Sequence, residues 1–171
     1  MKRYTHAAWL FVPLLSLTGC MLPRPGKARV VQLEVVVAPD ANDTSVVPFD
    51  TVAVRDKKLL KQIAAMDASA WFGAKGRCTY RGSGKKADVQ FHTWEFVPGQ
   101  VFHIQVPIPG GTKGLLGFAS YQTPGTHRVE LKDSGSQTVN MGENGMQALP
   151  KALATSTEPP APEKLKVCPD D

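Results

Sequence analysis

Apolar and polar residues alternate along most of the chain, and this two-residue period is typical of β-strands with one buried face. The alternating segments are rich in Val, Ile, Phe and Thr, which favour strands. They predict strands at residues 30–38, 46–55, 88–97, 100–108, 115–122 and 127–132. The sequence is therefore predicted to fold as a mainly β domain.

A helical period interrupts the strands once. Between residues 57 and 72, apolar residues such as Ile63 and Trp71 recur at three- and four-residue steps, while most of the charged residues lie off this stripe. Asp56 stands where a helix N-cap is expected, and Gly73 follows the last turn. The pattern predicts one helix over residues 57–72, lying with its apolar stripe on a sheet.

Turn residues separate the strands and predict two hairpins. Residues 39–45 (PDANDTS) accept turn geometry and should form an exposed loop that joins the first two strands. Pro98 and Gly99 separate the third and fourth strands. A two-residue loop there would place Trp94 opposite His103, and a wider loop with a shifted register stays open.

The alternating pattern fades after residue 132. Residues 133–171 are rich in Ser, Gly, Pro, Thr and Glu, with one short apolar patch at residues 146–149. Such a composition is typical of irregular structure. We therefore predict one folded domain at residues 30–132 and an irregular C-terminal tail at residues 133–171.

The N-terminus has the order of an export signal. Lys2 and Arg3 precede an apolar run at residues 7–15, and small residues follow up to Cys20. The apolar run is too short to cross a bilayer as a helix. Residues 17–20 (LTGC) resemble the lipobox of bacterial lipoproteins. The resemblance implies a signal peptide at residues 1–19 and lipid attachment to Cys20.

The same resemblance implies where the mature protein lies. Several acyl chains hold a protein stably at a membrane, whereas one chain binds only marginally. Met21 stands where enterobacterial lipoproteins of the inner membrane have aspartate, which implies the outer membrane with a periplasmic body. Residues 20–29 contain prolines, a glycine and basic residues, and they are predicted to be a lipidated tether.

The charge balance argues against nucleic acid as a partner. The chain has 20 basic and 15 acidic residues, a formal charge of +5. Loss of Lys2 and Arg3 with the signal leaves 18 basic residues and a difference of +3. This excess is small and dispersed, unlike the basic stripe of a nucleic-acid-binding domain.

Few residues could support catalysis or bind a metal. His92 and His103 would lie near each other on the second predicted hairpin. No third His or Cys stands at a metal-ligand spacing, and no nucleophile motif is present. We therefore expect no enzymatic activity, no metal, no small-molecule substrate and no cofactor other than the covalent lipid on Cys20.

The cysteines leave two alternatives open. Once Cys20 carries lipid, Cys78 and Cys168 are the remaining thiols. An oxidising periplasm permits a disulfide between them, which would hold the tail against the domain. The other alternative is two unpaired thiols, because the distance between the two Cα atoms decides whether a bond can form.

Several short segments follow one another in a fixed order: Cys20, residues 33–38, the loop containing Asn42, residues 52–55, residues 97–99, and residues 114–121 followed by His127 and Arg128. This order resembles that of a known family, the TssJ-type outer-membrane lipoproteins of the type VI secretion membrane complex. The resemblance implies a single periplasmic antiparallel β-sandwich of transthyretin-like form, with a helical insertion and a protruding loop after the first strand.

A non-enzymatic anchor is the function that this resemblance implies. The protruding loop would bind the periplasmic domain of a large inner-membrane secretion subunit. Its residues are Pro39, Asp40, Ala41, Asn42, Asp43, Thr44 and Ser45. The alternative is a lipoprotein binding module, such as an inhibitor, an immunity protein or a pilotin-like chaperone, that uses a sheet edge for strand addition. An envelope enzyme ranks last, because no catalytic constellation supports it.

Overall fold

A computed structural model of the 171-residue chain describes residues 26–74, 76–80 and 88–149. The strands in these ranges are β1 (Arg29–Val37), β2 (Val47–Val54), β3 (Val89–Phe96), β4 (Val101–Ile108), β5 (Gly114–Ala119), β6 (Arg128–Leu131), β7 (Ser136–Gly142) and β8 (Gly145–Leu149). The helices are α1 (Lys57–Ile63), α2 (Ala68–Phe72) and α3 (Gly76–Tyr80), and all three lie between β2 and β3.

The strands form two four-stranded sheets that pack face to face. Sheet A has the order β4-β1-β7-β8, and sheet B has the order β3-β2-β5-β6. Neighbouring strands are antiparallel, apart from β1 and β7, which run parallel. The predicted mainly β sandwich is confirmed, and its single parallel pair makes sheet A mixed.

The core between the sheets follows from the alternation that predicts the strands. Every second residue of β1, from Val31 to Val37, points into this core and is at most 2% exposed. Phe49 and Phe96 of sheet B meet there with their ring centroids 5.7 Å apart. Because side chains alternate across a strand, the other residues of β1 lie on the outer face of sheet A.

Sheet B is buried on its second face as well. Val52 and Val54 of β2 point away from the core between the sheets and are fully buried beneath the helices. Trp71 of α2 stacks on Phe118 of β5 with the ring centroids 5.0 Å apart. Sheet B is therefore the middle layer of the molecule, between sheet A and the helices.

The single predicted helix at residues 57–72 is wrong in one respect, because the segment forms two helices. Asp56 caps α1 by accepting hydrogen bonds from the backbone amides of Lys58 and Leu59, at 2.8 and 2.9 Å. Asp67 caps α2 by accepting from the amide of Ala70 at 2.7 Å. Aspartate satisfies free amides better at a helix start than inside a helix, so Asp67 begins a new helix.

Both predicted hairpins are wrong. β1 and β2 belong to different sheets, and so do β3 and β4. Trp94 pairs with Phe49, while His103 pairs with Glu34. Gly99 has a φ of 79° and donates its amide to the carbonyl of Val37 at 3.0 Å, so the turn after β3 is bound to β1. Two-residue hairpins prefer turns whose backbone twist matches that of the flanking strands, and a Pro-Gly turn does not have this twist. The chain accordingly passes from sheet B to sheet A at this turn.

The prediction of irregular structure from residue 133 is wrong as far as residue 149. β7 lies inside sheet A between β1 and β8. Gln137 and Thr138 of this strand are buried with partners. The side chain of Gln137 bonds both backbone groups of Lys132, at 3.0 and 2.9 Å. The polar composition of β7 therefore did not indicate that this segment is a core strand. The folded domain extends from the predicted boundary at residue 132 to at least Leu149.

Candidate functional site

Four loops lie together at one end of the sandwich, where β1 ends and β2 begins. We call this the loop end; it comprises residues 38–46, 97–100, 120–127 and 142–145. Backbone hydrogen bonds join these loops. The amide of Ala38 donates to the carbonyl of Met141 at 2.8 Å, and the amide of Asn42 donates to the carbonyl of Glu143 at 3.1 Å.

The loop predicted to bind a partner has an unusual backbone. Asn42, Asp43 and Thr44 have φ angles of 49°, 53° and 59°, so three successive residues other than glycine are left-handed. Such a conformation costs about 1–3 kcal/mol per residue and persists only where the surroundings hold it. The turn exposes the side chains of Asp43 and Thr44.

Asn42 holds this turn in place. Its side chain is 4% exposed, and its Nδ2 donates to the carbonyl of Val46 at 3.0 Å. Its Oδ1 accepts from the amide of Gln122 at 2.6 Å. Ala41 is fully buried. Of the seven predicted contact residues, Ala41 and Asn42 therefore support the loop, and the accessible surface comes from Pro39, Asp40, Asp43, Thr44 and part of Ser45.

The neighbouring loop reinforces this arrangement. Gln122 donates from Nε2 to Oγ of Ser45 at 2.8 Å. Tyr121 donates its hydroxyl to the carbonyl of Gly145 at 3.0 Å and stacks on His127 with the ring centroids 4.7 Å apart. Burial raises the pKa of Tyr121 to about 12, so its hydroxyl stays protonated as a donor. Sequence analysis missed Gln122 and Tyr121, because the hydrogen-bond partners of both side chains lie on other loops.

Two open clefts flank the loop end. One, of about 520 Å³, lies beside the turn between β7 and β8 and is lined by Val36, Ala38, Asn140, Met141, Gly142, Gly145, Met146 and Gln147. The other, of about 500 Å³, lies between α2 and residues 120–127. The exposed loop therefore stands between two concave surfaces that a partner protein could fill.

The loop end is acidic. Asp40, Asp43 and Glu143 are exposed there. The four loops that define this end contain no Lys or Arg. A partner surface with basic residues would complement this charge.

The two candidate histidines do not form a pair. His92 lies on β3 opposite Thr51, in sheet B, whereas His103 lies on β4 opposite Glu34, in sheet A. Burial lowers the pKa of His92, and the charge of Asp50 opposes this shift in part. Within the described ranges, no group of three or more His, Cys, Asp or Glu side chains could hold a metal ion.

Asp50 is a buried carboxylate that sequence analysis did not single out. Its oxygens accept from Nε1 of Trp71 at 2.9 Å, from Oγ1 of Thr93 at 2.7 Å and from the guanidinium of Arg77 at 3.2 and 3.4 Å. The residue is 0% exposed. These donors tie α2 and α3 to sheet B. The sequence feature that could have indicated this role is the presence of an aspartate within the apolar strand pattern of residues 46–55.

The predicted lipidation and disulfide residues lie partly outside the described residues, because Cys20 and Cys168 are not among them. Cys78 lies on α3 and is disulfide-bonded. Its pairing with Cys168 stays a prediction. In the part of the chain that the structure describes, no helix is long and apolar enough to cross a membrane.

Comparison with known proteins gives a likeness of fold. No protein-family model and no curated protein matches the sequence. Among solved structures, the chain is similar to Serratia marcescens Lip, described as a membrane bound component of the type VI secretion system. The TM-score is 0.55 at 14% identity, over 72% of this chain and 98% of that one. The chain has the fold of a type VI secretion lipoprotein.

Two further structures support this likeness. The type VI lipoprotein TssJ1 from Pseudomonas aeruginosa matches with a TM-score of 0.54 at 13% identity, over 76% of this chain and 99% of that one. A chain in a structure described as the C-terminal domain, residues 869–1107, of the type VI protein TssM from EAEC matches with a TM-score of 0.51 at 15% identity. It covers 71% of this chain and 98% of that one. The sequence resemblance to TssJ-type lipoproteins is thus confirmed as a likeness of fold.

Proposed function

We propose that the protein is an outer-membrane lipoprotein that serves as a structural component of a type VI secretion membrane complex. The observation that carries this proposal is the fold shared with Lip and TssJ1 over 98% and 99% of their chains. Lipid on Cys20 anchors the protein, and the folded body lies in the periplasm. The protein acts by binding rather than by catalysis.

The loop end binds the periplasmic domain of a large inner-membrane subunit of the TssM type. One of the solved structures that contain a chain of this fold is described as the C-terminal domain of TssM. This description supports the choice of a TssM-type partner. The geometry of the loop also supports it. Because Asn42 and Gln122 hold the left-handed turn, the exposed loop residues need little ordering when they bind, and preorganisation of this kind favours affinity.

The anchor is tested by changing its lipid acceptor. We expect Cys20→Ser to move the protein from the membrane fraction to the soluble periplasm, because the acyl chains supply the stable membrane affinity. Cell fractionation in 0.5 M salt, which removes purely electrostatic membrane contacts, measures the distribution with an antibody to the protein. Cys168→Ser is the matched control and should remain in the membrane fraction. A Cys20→Ser protein that stays entirely with the membranes contradicts the anchor.

The partner is tested by reversing charge at the loop end. We expect Asp40→Lys with Glu143→Lys to lower recovery of the inner-membrane subunit at least tenfold in a pull-down from envelopes in mild detergent. Both side chains are exposed, so the fold should persist, as circular dichroism would check. Asp88→Lys with Glu130→Lys makes the same charge change at the opposite end and should leave recovery unchanged.

Two outcomes of the pull-down contradict the proposed partner. If the loop-end variant and the control recover the subunit equally, the loop end does not contact the partner. Recovery of a secreted toxin or a soluble enzyme in place of an inner-membrane subunit shows an inhibitor or immunity protein instead.

A further inference from the structure

We propose that the end of the sandwich opposite the loop end binds the anionic headgroups of the membrane and thereby orients the body. We call it the basic end; its basic residues are Lys27, Arg29, Arg55, Lys57, Lys58, Lys61, Lys113 and Lys132. The inference deepens the proposed function and rests on it, because it takes the lipid on Cys20 as the anchor.

Packing places these residues at one end although they are distant in sequence. Gly26 lies against Gly110, in the loop after β4. Arg55 lies beside the next glycine of that loop. The amide of Lys113 donates to the carbonyl of Val54 at 2.7 Å, which joins the end of β2 to the start of β5. Leu60 of α1 packs on Gly114, so the lysines of α1 share this end.

The charge of the basic end is positive after its acidic residues are counted. Among the described residues, eight basic side chains lie there with four acidic ones, Asp56, Asp88, Glu130 and Asp133, a balance of +4. Asp56 is occupied as the cap of α1, and Asp133 pairs with Arg29 at 2.7 Å. Seven of the eight basic side chains are exposed, and Arg55 is half-buried.

The two ends of the body have opposite charge. The loop end has three exposed carboxylates and no Lys or Arg in its four loops, a balance of −3. β2 has eight residues and joins the two ends, so about 25 Å separates them at roughly 3.3 Å per residue. This distance exceeds the Debye length of about 8 Å at physiological salt. A charged surface against one end therefore acts on that end alone.

The short length of the tether indicates that the charged surface facing the basic end is the membrane. Gly26 is six positions after Cys20, and six extended residues reach about 20 Å. A lipid on Cys20 therefore keeps the basic end near the headgroups. Each lysine near an anionic membrane surface contributes about 1 kcal/mol of attraction, which an orientation with the acidic loop end against the membrane would lack. The loop end then points away from the membrane, where the proposed partner lies.

The test removes the lipid so that only the surface contributes. The mature chain, from residue 20 onward and with Cys20→Ser, is sedimented with vesicles of phosphatidylcholine alone or with 30% phosphatidylglycerol. We expect it to bind the anionic vesicles, to leave them in 0.5 M salt and to bind the neutral vesicles little. Lys57→Gln, Lys58→Gln and Lys113→Gln together should weaken binding about a hundredfold, since each lysine contributes about fivefold.

A charge-preserving variant is the matched control. Lys57→Arg, Lys58→Arg and Lys113→Arg together should bind the anionic vesicles as the parent does, and circular dichroism checks that both triple variants are folded. The inference is overturned if the parent does not bind anionic vesicles, or if the Gln and Arg variants bind them equally. Fractionation of Cys20→Ser in 0.5 M salt tests the anchor separately, because this salt concentration removes the electrostatic contact.

Discussion

Asp50 illustrates how the surroundings of one residue decide what it does. An aspartate on a strand usually lies on the solvent face, but this one is fully buried and accepts hydrogen bonds from Trp71, Thr93 and Arg77. A buried charge is tolerated only when it is paired and hydrogen-bonded. Its partners lie on α2, α3 and β3, so Asp50 joins the helices to sheet B.

Loss of this charge should destabilise the protein. We expect Asp50→Asn to lower the free energy of unfolding by about 3–5 kcal/mol, because the half-buried guanidinium of Arg77 loses its ion pair. Urea denaturation followed by circular dichroism measures the change. Asp40→Asn removes an exposed carboxylate and should change stability by less than about 0.5 kcal/mol. Equal effects of the two substitutions would show that Asp50 has no structural ion pair.

Asn42 shows a second way in which one residue acts. Asparagine tolerates the left-handed region better than most residues, and its short amide bonds nearby backbone. Residues 39–45 were predicted as an exposed loop from this chemistry. The structure adds that Asn42 is itself buried and bonded to Gln122 on another loop. A local pattern can predict the turn, but it cannot name a partner 80 residues away.

β7 is the element whose position departs furthest from expectation. It pairs in parallel with β1 at the centre of sheet A and contributes Val139 and Met141 to the core. Its sequence, SQTVNMG, looks polar because Gln137 and Thr138 are counted as surface residues. Both are buried, and Thr138 donates to Glu34 at 3.1 Å. Because their side chains are hydrogen-bonded, these polar residues can be buried without the desolvation cost of an unpaired polar group.

The core role of β7 predicts a large effect from one truncation. We expect Met141→Ala to lower the free energy of unfolding by about 2–5 kcal/mol, because the side chain is 1% exposed and its loss leaves a cavity. Thermal and urea denaturation measure this change. Gln147→Ala on the adjacent strand β8 alters an exposed side chain and should be nearly neutral. A neutral Met141→Ala would mean that residues 136–142 lie outside the core.

At the scale of the whole molecule, the sandwich separates two surfaces. Strands run between the loop end and the basic end, and the helices cover the outer face of sheet B, with the lysines of α1 at the basic end. The proposed partner and the proposed membrane contact therefore lie at opposite ends of a rigid body. This separation suits a component that links a membrane to a subunit across the periplasm. It also lets the charge-reversal and vesicle experiments be interpreted independently.

The pattern of apolar and polar residues along the sequence was sufficient to predict the features that depend on residues close together in the chain. The two-residue period predicted six of the eight described strands, because alternation records which side of a strand is buried. The three- and four-residue period placed the helical segment, and Asp56 marked its start. The loop at residues 39–45 followed from its turn residues. The likeness to TssJ-type lipoproteins arose from the order of these elements.

Tertiary structure alone decided which strands pair and which charges lie together. β1 and β2 are adjacent in sequence but belong to different sheets, because pairing depends on contacts between distant segments that no local period records. The burial of Asp50 and Gln137 depends on partners from other elements. The basic end likewise gathers residues from position 27 to position 132. Local periodicity orients each strand face, and only packing of the whole chain brings those faces into one core and those charges onto one surface.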